Sequence, residues 1–495
     1  MSNIRVTYSG LISLAVGISS VFTGTVFTII VTRSLTPEEF GTWGLIGGLL
    51  FYVLIAEPII SYWSTREIAR GVSSGSTSLV SSGLFSIGGV SAYIIIAYFV
   101  GSQSDANVET LILAAMLIPV MFLNKTLTGI NVGWKPESVS YGLLAFEIAK
   151  IPTALILVYY LNFGIEGAII ATTVSYIVSI IVLAIVGRKK IKTKINFQFL
   201  KRWIKLSWLP LYPGVGSLIF TLDVAIFSII TGSVGGIAYY SSALAIAAFV
   251  AHSGAISRAI YPKLLGGGKT KHLEENLHRF FFFGFPFVAL SIILARPGLY
   301  TLNPLYEIAV PVVIFLTMRA FLYTFSGILN QSLQGIETVD IDKNANFKSF
   351  IKSKLFLMPT LVLIKYSAYI ITLTLVLILA KDATLIELVI YWSIISFIVE
   401  IPFFIYLTIL SKKYFNLKTP IKNSWKYILS CVIVFGITYY VMEKSLIYVN
   451  KVFEFLPNVL LFVLIGAGGY LLLTYVIDKR TRILVSSIIN EIRRR

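Results

Sequence analysis

The feature that most constrains this chain is a series of long apolar runs that recurs from residue 8 to residue 477. Each run has about 18 or more residues, enough for an α-helix to cross a hydrocarbon core of about 30 Å. Helices satisfy all their backbone hydrogen bonds within lipid. We therefore predict an all-α polytopic membrane protein with about 14 transmembrane helices, with approximate spans 8–32, 40–63, 77–100, 109–132, 138–161, 165–187, 207–231, 236–262, 280–303, 306–330, 358–380, 384–410, 425–442 and 458–477.

Composition and charge agree with a membrane location. Of the 495 residues, 57% are hydrophobic and 13% are charged, and the formal net charge is +18. The Lys and Arg residues cluster in alternate connections, so the positive-inside rule explains them better than nucleic-acid binding does. We expect a multi-pass protein of the cell (cytoplasmic) membrane with both termini cytoplasmic. The basic clusters lie at 188–205, 263–279, 343–354, 412–426 and 479–495.

The connection between spans six and seven has the pattern of an interfacial amphipathic helix. Apolar side chains share one helical face, and Lys and Arg surround that face. Because this connection is cytoplasmic in the predicted topology, we interpret residues 188–206 as an amphipathic linker. The apolar face comprises Phe197, Leu200, Trp203 and Ile204.

A weak internal repeat in the sequence predicts the domain organisation. The apolar rhythm and turn of residues 27–46 recur at residues 227–244, six spans later, so the two halves should be parallel repeats with one orientation. Transporters built this way place their substrate between the halves. We expect an N-terminal six-helix bundle at 1–187, the linker at 188–206, a C-terminal six-helix bundle at 207–411, and two additional helices with a basic tail at 412–495.

Several ionisable residues fall inside the predicted spans. A charge at the centre of a membrane helix costs roughly 2.5 to 3.5 kcal/mol even on a lenient insertion scale, so these groups should pair, face the protein interior or line water. Five are cations and four are acids. They are Glu57, Lys125, Glu147, Lys150, Asp223, Arg258, Arg319, Lys365 and Glu400.

Some of these charges have simple structural explanations. Glu147 and Lys150 are spaced i and i+3 and can pair on one helix. Lys125 and Lys365 are near enough to the cytoplasmic ends of their spans to extend their ammonium groups to water. Glu57, just before a proline, is also near that side.

Closeness to a helix end does not readily explain the other three charges, Arg258, Arg319 and Asp223. They can line a polar cavity, or they can form structural ion pairs, and both interpretations stay open. Arginine suits phosphate because its planar guanidinium donates paired hydrogen bonds and keeps its charge. An excess of cations between two bundles indicates an anionic, amphiphilic substrate.

No cofactor or metal site is predicted. The one cysteine, Cys431, lies in an apolar run, and the three histidines lack metal-ligand spacing. The connections between spans leave no room for a soluble catalytic domain. We therefore do not expect an enzyme.

Three stretches resemble the Wzx-type polysaccharide biosynthesis flippases of the multidrug, oligosaccharidyl-lipid and polysaccharide (MOP) exporter superfamily. They are TRSLTPEEFGTWGLI (32–46), GIEGAIIATTVSYIVSIIVL (164–183) and LDVAIFSIITGSVGGIAYYSSALAI (222–246). The first contains the family's turn after span one, here with Arg33 and Gly41, although a serine separates Arg33 from the expected leucine. The third contains the family's span-seven acid, Asp223.

The resemblance implies a fold and a substrate. Family members have two six-helix bundles, often with two extra helices, and move polyprenyl-diphosphate oligosaccharides to the outer leaflet. By the same resemblance, Arg258 in span eight would contact the head group.

Combining residues and resemblance, we predict a flippase for polyprenyl- or dolichyl-(di)phosphate oligosaccharide that works by alternating access. Predicted head-group ligands are Arg258, Arg319, Lys125, Lys150 and Lys365, and the coupling or ion-pairing acids are Asp223, Glu57, Glu147 and Glu400. Membrane lipids and a coupling ion, H⁺ or Na⁺, are the other expected partners.

Three alternatives remain at this stage. A drug or organic-cation antiporter of the same superfamily is disfavoured because span one contains no acid and the embedded cations repel a cationic drug. A membrane glycosyltransferase or ligase would need larger outer loops. A non-transporting scaffold of a glycan assembly complex would tolerate loss of Arg258 and Arg319.

Overall fold

A computed structural model describes residues 20, 23–257, 271–337, 339, 349 and 351–483. All regular elements in these residues are helical. Within the described residues, twelve helices are long and apolar enough to cross a membrane, or 13 if a bent helix pair counts as one span. The chain is thus an all-α multi-pass membrane protein, as predicted. A count of 14 is not confirmed, since the first predicted span lies partly outside the described residues.

The described residues form two compact units that divide the chain at residues 239/240, 369/370 and 385/386. Unit 1 comprises described residues up to Tyr239 together with Ile370–Leu385. Its helices are α1 (23–34), α2 (Pro37–Leu54), α3 (Pro58–Ala69), α4 (Gly75–Gly101), α5 (Val108–Trp134), α6 (Glu137–Tyr160), α7 (Gly164–Ile191), α8 (Phe197–Lys205), α9 (Trp208–Phe220), α10 (Leu222–Thr231) and the first turn of α11 (Gly235–Ala247).

Unit 2 comprises Tyr240–Tyr369 and the described residues from Ile386 onward. After α11 come a 3-10 segment, Ala248–Ser257, and then α12 (Lys271–Ile293), α13 (Ala295–Leu302), a 3-10 turn at Pro304–Ala309, α14 (Val310–Gly335), α15 (Lys354–Leu379), α16 (Leu385–Lys412), α17 (Lys418–Asn423), α18 (Trp425–Ser445) and α19 (Val452–Ile477). The end of α15 from Ile370 onward and the first residue of α16, Leu385, belong to unit 1. The predicted boundaries of two six-helix bundles and two additional helices remain a prediction.

The turn before α2 follows directly from its sequence. Thr36 and Glu39 form a capping box, in which the Thr36 hydroxyl accepts from the Glu39 N–H and the Glu39 carboxylate accepts from the Thr36 N–H at 2.9 Å. Pro37 occupies the first turn, where a missing N–H has no cost. A Cβ at Gly41 would overlap the carbonyl oxygen of Val234, so glycine is required for this close approach within unit 1.

The second predicted span is a bent pair. Helices α2 and α3 meet at an angle of 58°, and Pro58 begins α3. Proline cannot donate a backbone hydrogen bond and disfavours a helical conformation of the residue before it, which explains a break at this point. The break places Glu57 at the N-cap of α3.

Unit 2 has a continuous aromatic core. Phe280, Phe281, Phe282 and Phe325 are buried together with residues of α18 and α19. The Tyr470 hydroxyl of α19 donates to the carbonyl of Phe282 at 2.8 Å. Through these contacts the two last long helices pack on α12.

Candidate anion-binding site

Residues of unit 2 on four helices, α11, α14, α15 and α16, contribute to a group of charged and aromatic side chains that we call the cationic cluster. Its charged members are Arg319 of α14, Lys365 of α15 and Glu400 of α16. Arg319 is half-buried, and its charge interacts with Glu400 and with the hydroxyl-bearing rings of Tyr240, Tyr366 and Tyr369.

Lys365 and Glu400 form a buried ion pair. The Lys365 Nζ lies 2.9 Å from Oε2 of Glu400, and the two residues are 6% and 2% exposed. Lys365 is therefore buried instead of extending to water. Its ammonium also lies over the rings of Tyr366 at 4.4 Å and Phe403 at 4.3 Å, positions in which cation–π attraction stabilises a desolvated charge.

The cluster carries an excess of positive charge. Two cations, Arg319 and Lys365, share one carboxylate, Glu400, and the electrostatic interaction between Lys365 and Arg319 is repulsive. The second carboxylate oxygen of Glu400 is buried and has no hydrogen-bond partner in the described part of the chain. Because a partly desolvated cation attracts anions more strongly than one in water, the half-buried Arg319 is suited to bind an anion.

Buried aromatic side chains pack beside these charges. The rings of Tyr240 and Trp392 stack with centroids 3.9 Å apart and planes 9° from parallel. The Trp392 Nε1 donates to the Tyr369 hydroxyl at 2.6 Å, which fixes both side chains. Lys365, Tyr366 and Tyr369 occupy positions i, i+1 and i+4 of one helix, so α15 presents the ammonium and Tyr369 on one side. Arg319, in contrast, is half-buried, and a guanidinium can donate paired hydrogen bonds to one anionic group.

Sequence reasoning identified the three charged residues of the cluster but missed Tyr240, Tyr369 and Trp392. With 27 tyrosines and seven tryptophans in the chain, aromatic residues in apolar runs give no signal of their own. The i, i+4 spacing of Lys365 and Tyr369 is the one signal in the sequence that could have indicated Tyr369.

The other predicted head-group ligands have different locations. Arg258 lies outside the described residues, so its predicted role stays a prediction. Lys125 is exposed on α5 of unit 1. Lys150, in α6 of unit 1, lies 3.5 Å from the Glu147 carboxylate and over the ring of Phe27 at 4.7 Å. The structure thus brings Arg319 and Lys365 into one cluster and leaves Lys125 and Lys150 in unit 1.

Glu147 is held by more than its neighbour on the helix. It is buried, and its two carboxylate oxygens accept hydrogen bonds from the hydroxyls of Ser20 and Thr23, each at 2.7 Å. Those hydroxyls belong to the predicted span one. The small polar side chains of that span therefore solvate an acid of span five.

Glu57 is buried at the break between α2 and α3. Its carboxylate accepts from the Ser61 hydroxyl at 2.9 Å and from the Thr126 hydroxyl at 3.4 Å. Lys125, next to Thr126, is the cation with which it interacts electrostatically. Two neutral donors and one exposed cation leave this acid more weakly compensated than Glu400 is.

Asp223 and the turn residue Arg33 also lie in unit 1. Asp223 is buried in the first turn of α10, where its Oδ1 accepts from the Val224 N–H at 2.8 Å and where the helix dipole favours negative charge. The Tyr52 hydroxyl beside it donates to the Thr221 carbonyl at 2.6 Å. Arg33 is half-buried at the end of α1.

Among the described residues, no group of three or more His, Cys, Asp or Glu side chains is arranged to hold a metal ion. No protein-family model and no curated protein matches the sequence.

Solved structures of membrane transporters do match. The lipid II flippase MurJ in an inward closed conformation aligns with a TM-score of 0.68 at 17% identity, covering 96% of this chain and 99% of that chain. An inward-facing multidrug resistance MATE family transporter of the MOP superfamily aligns at 0.60 and 17%, covering 81% and 98%. A MATE structure in complex with MaL6 aligns at 0.53 and 17%, covering 83% and 96%. The chain has the MOP transporter fold.

Proposed function

We propose that this protein is a flippase that moves a polyprenyl-(di)phosphate-linked oligosaccharide from the cytoplasmic to the outer leaflet by alternating access. The observation that carries the proposal is the cationic cluster: a half-buried arginine beside a buried Lys–Glu pair, within membrane-spanning helices of the MOP fold. Charged side chains within a membrane are costly and therefore rare, and those that occur usually pair with another group or belong to a functional site.

The chemistry of the cluster suits a phosphate ester. The Arg319 guanidinium can donate two parallel hydrogen bonds to phosphate oxygens and stays charged throughout transport. Lys365 contributes positive potential, while Glu400 limits it so that the head group can be released again. Tyr240 and Trp392 are buried and stacked on each other, so they support the cluster from the protein side and do not contact the sugar.

The remaining predicted residues take supporting roles in this proposal. Arg258 would add a second guanidinium to the head-group site, and Lys125 and Lys150 would add positive potential in unit 1. Glu57, with its two neutral hydrogen-bond donors, is the acid best suited to release and take up a proton. Glu147 and Asp223 are better suited to structural pairing.

The fold is shared with multidrug exporters, so it does not by itself distinguish the substrate. Two observations favour a lipid-linked anion. The charge excess of the cluster would repel an organic cation, and the flippase match covers 96% of this chain against 81% and 83% for the two MATE matches. An exporter of organic cations is the alternative that the experiment below excludes or supports.

The test compares Arg319→Ala with Arg296→Ala in purified protein reconstituted in liposomes. Arg296 belongs to the same unit but is half-exposed and pairs with Glu307 at 3.0 Å, so its loss controls for charge alone. A hydrogen bond to a charged group contributes about 1.5 to 3 kcal/mol. We therefore expect Arg319→Ala to weaken binding of a fluorescent polyprenyl-diphosphate oligosaccharide about 10- to 100-fold, and Arg296→Ala to leave it unchanged.

Equal affinity of both variants and the wild type would refute the proposal. Binding of an organic cation that Arg319→Ala strengthens would favour the drug exporter instead. In cells, loss of surface glycan in the Arg319→Ala strain with a normal protein level would exclude a non-transporting scaffold.

A further inference from the structure

The connection that contains helix α8 is unusual in its charge. Residues 188–208 contain eight Lys and Arg residues and no Asp or Glu. The positive-inside rule accounts for cations on this side but not for the way the structure arranges them around α8.

Helix α8 has three distinct sides. Trp203 is fully buried, and with Phe199 and Leu200 it packs against Ile59 and Ile60 of α3. At about 100° per residue, Phe197 and Ile204 fall together on the adjoining side. They are 52% and 51% exposed.

The third side of α8 is polar. Lys201, Lys205 and Gln198 are exposed and follow Phe197 and Ile204 around the helix. The apolar face that the sequence predicts as one surface is therefore divided: Trp203 and Leu200 face the protein, while Phe197 and Ile204 remain uncovered beside two lysines. This is the arrangement of a helix that lies at a membrane interface with its lysines at the level of the head groups.

Contacts with unit 1 hold α8 in this orientation. The buried Glu67 of α3 accepts hydrogen bonds from Trp203 Nε1 at 3.1 Å and from the Arg202 guanidinium. Before the helix, the Asn196 N–H donates to the Thr77 hydroxyl at 2.9 Å, and the Thr193 hydroxyl accepts from the Ser76 N–H at 3.0 Å. The apolar pair and the lysines are therefore presented by a fixed helix instead of a flexible loop.

We propose that α8 is a binding site for anionic phospholipid head groups of the leaflet on the predicted cytoplasmic side. Phe197 and Ile204 enter the acyl boundary, and Lys201 and Lys205 contact the phosphates. The partner is an anionic lipid because the connection carries positive charge only. Each Lys or Arg near an anionic membrane surface strengthens the attraction to it. This inference does not depend on the transported substrate, since it concerns a surface of unit 1 outside the cationic cluster.

The first test measures the depth of α8. Spin labels are placed at Ile204→Cys and, as a control on the polar side, at Gln198→Cys, both in a Cys431→Ser background that removes the one native thiol. In liposomes containing phosphatidylglycerol, we expect the Ile204 label to collide more with oxygen and the Gln198 label to collide more with a water-soluble nickel complex. Equal exposure of both labels to the nickel complex would refute interfacial docking.

The second test measures lipid preference with the full-length protein in detergent. Thermal stabilisation by added phosphatidylglycerol and by phosphatidylcholine is compared for the wild type, a Lys201→Gln/Lys205→Gln variant and a Lys412→Gln/Lys413→Gln control. The control lysines are also exposed and lie on the same predicted side. We expect each lysine of α8 to contribute about fivefold in affinity, so that phosphatidylglycerol binding is about 25-fold weaker in the first variant. A clearly smaller loss is expected for the control.

Two outcomes would overturn the proposal. One is an equal response of wild type to both lipids, and the other is an equal loss of phosphatidylglycerol binding in the two lysine variants. Neither outcome bears on head-group binding at Arg319, so failure here is distinguishable from failure of the proposed flippase function.

Discussion

At the scale of single residues, the Lys365–Glu400 ion pair is the interaction of the cationic cluster on which the stability of the fold depends most. Its two side chains are buried and 2.9 Å apart. Taking both charges out of water costs several kcal/mol each, and their attraction offsets this only while both are present. Removing one partner therefore has a different effect from removing both.

Glu400→Gln should destabilise the protein by about 3 to 5 kcal/mol, because it leaves the Lys365 ammonium buried without its carboxylate. A Lys365→Met/Glu400→Leu double variant should recover most of that loss, since it removes the uncompensated charge. Thermal unfolding in detergent, with the exposed pair Lys451–Glu454 changed in the same way as a control, measures the difference. Equal destabilisation by the single and double variants would show that the pair is not the cause.

The sequence made these residues conspicuous, because a charge in an apolar run is visible without a structure. It did not predict their pairing, since 35 positions separate them and the sequence does not tell which faces of α15 and α16 meet. Glu147 and Lys150 show the opposite case. Their i, i+3 spacing predicted the contact, while the hydroxyls of Ser20 and Thr23 come from a distant segment and could not be predicted.

At the scale of elements, the last two long helices are joined at one end through Asp478, which follows α19. Its carboxylate accepts from the Tyr427 hydroxyl at 3.0 Å and the Thr481 N–H at 3.1 Å, and it lies 3.4 Å from the Lys426 ammonium. Burial alone would raise the pKa of Asp478, but these donors together hold the pKa below its usual value.

A lowered pKa stabilises the folded protein above the pKa of the unfolded chain, about 3.9, and this contribution is lost as the pH falls through the folded value. Asp478→Asn should therefore lower the melting temperature at pH 7, and the deficit should shrink as the pH drops below about 4. Melting curves across this range test it, with the exposed Asp382→Asn as control. A deficit that stays constant with pH would contradict the role given to the carboxylate.

Elements were predictable to the extent that they are single apolar runs. The break between α2 and α3 could be anticipated from Pro58, but its 58° bend depends on packing. The division of the α8 face could not be predicted, because a helical wheel identifies apolar side chains without telling which of them the protein covers. Trp203 is covered because Glu67, 136 positions away, accepts its indole N–H.

At the scale of the whole molecule, hydropathy and the positive-inside pattern led to an all-α multi-pass fold, and the match to MOP transporters confirms that fold class. Fold is predictable here because long apolar runs in lipid have few alternatives. In the proposed function, the substrate depends instead on a few side chains from four helices, and no pattern in the sequence predicts that these side chains come together.

The most direct test of the central claim, that the cationic cluster binds the head group, is a cryo-EM structure with a polyprenyl-diphosphate oligosaccharide bound. We expect phosphate oxygens at hydrogen-bond distance, about 3 Å, from the Arg319 guanidinium, with Lys365 still paired to Glu400. A head group bound elsewhere, with Arg319 engaged by Glu400 and making no contact with phosphate, would contradict the account.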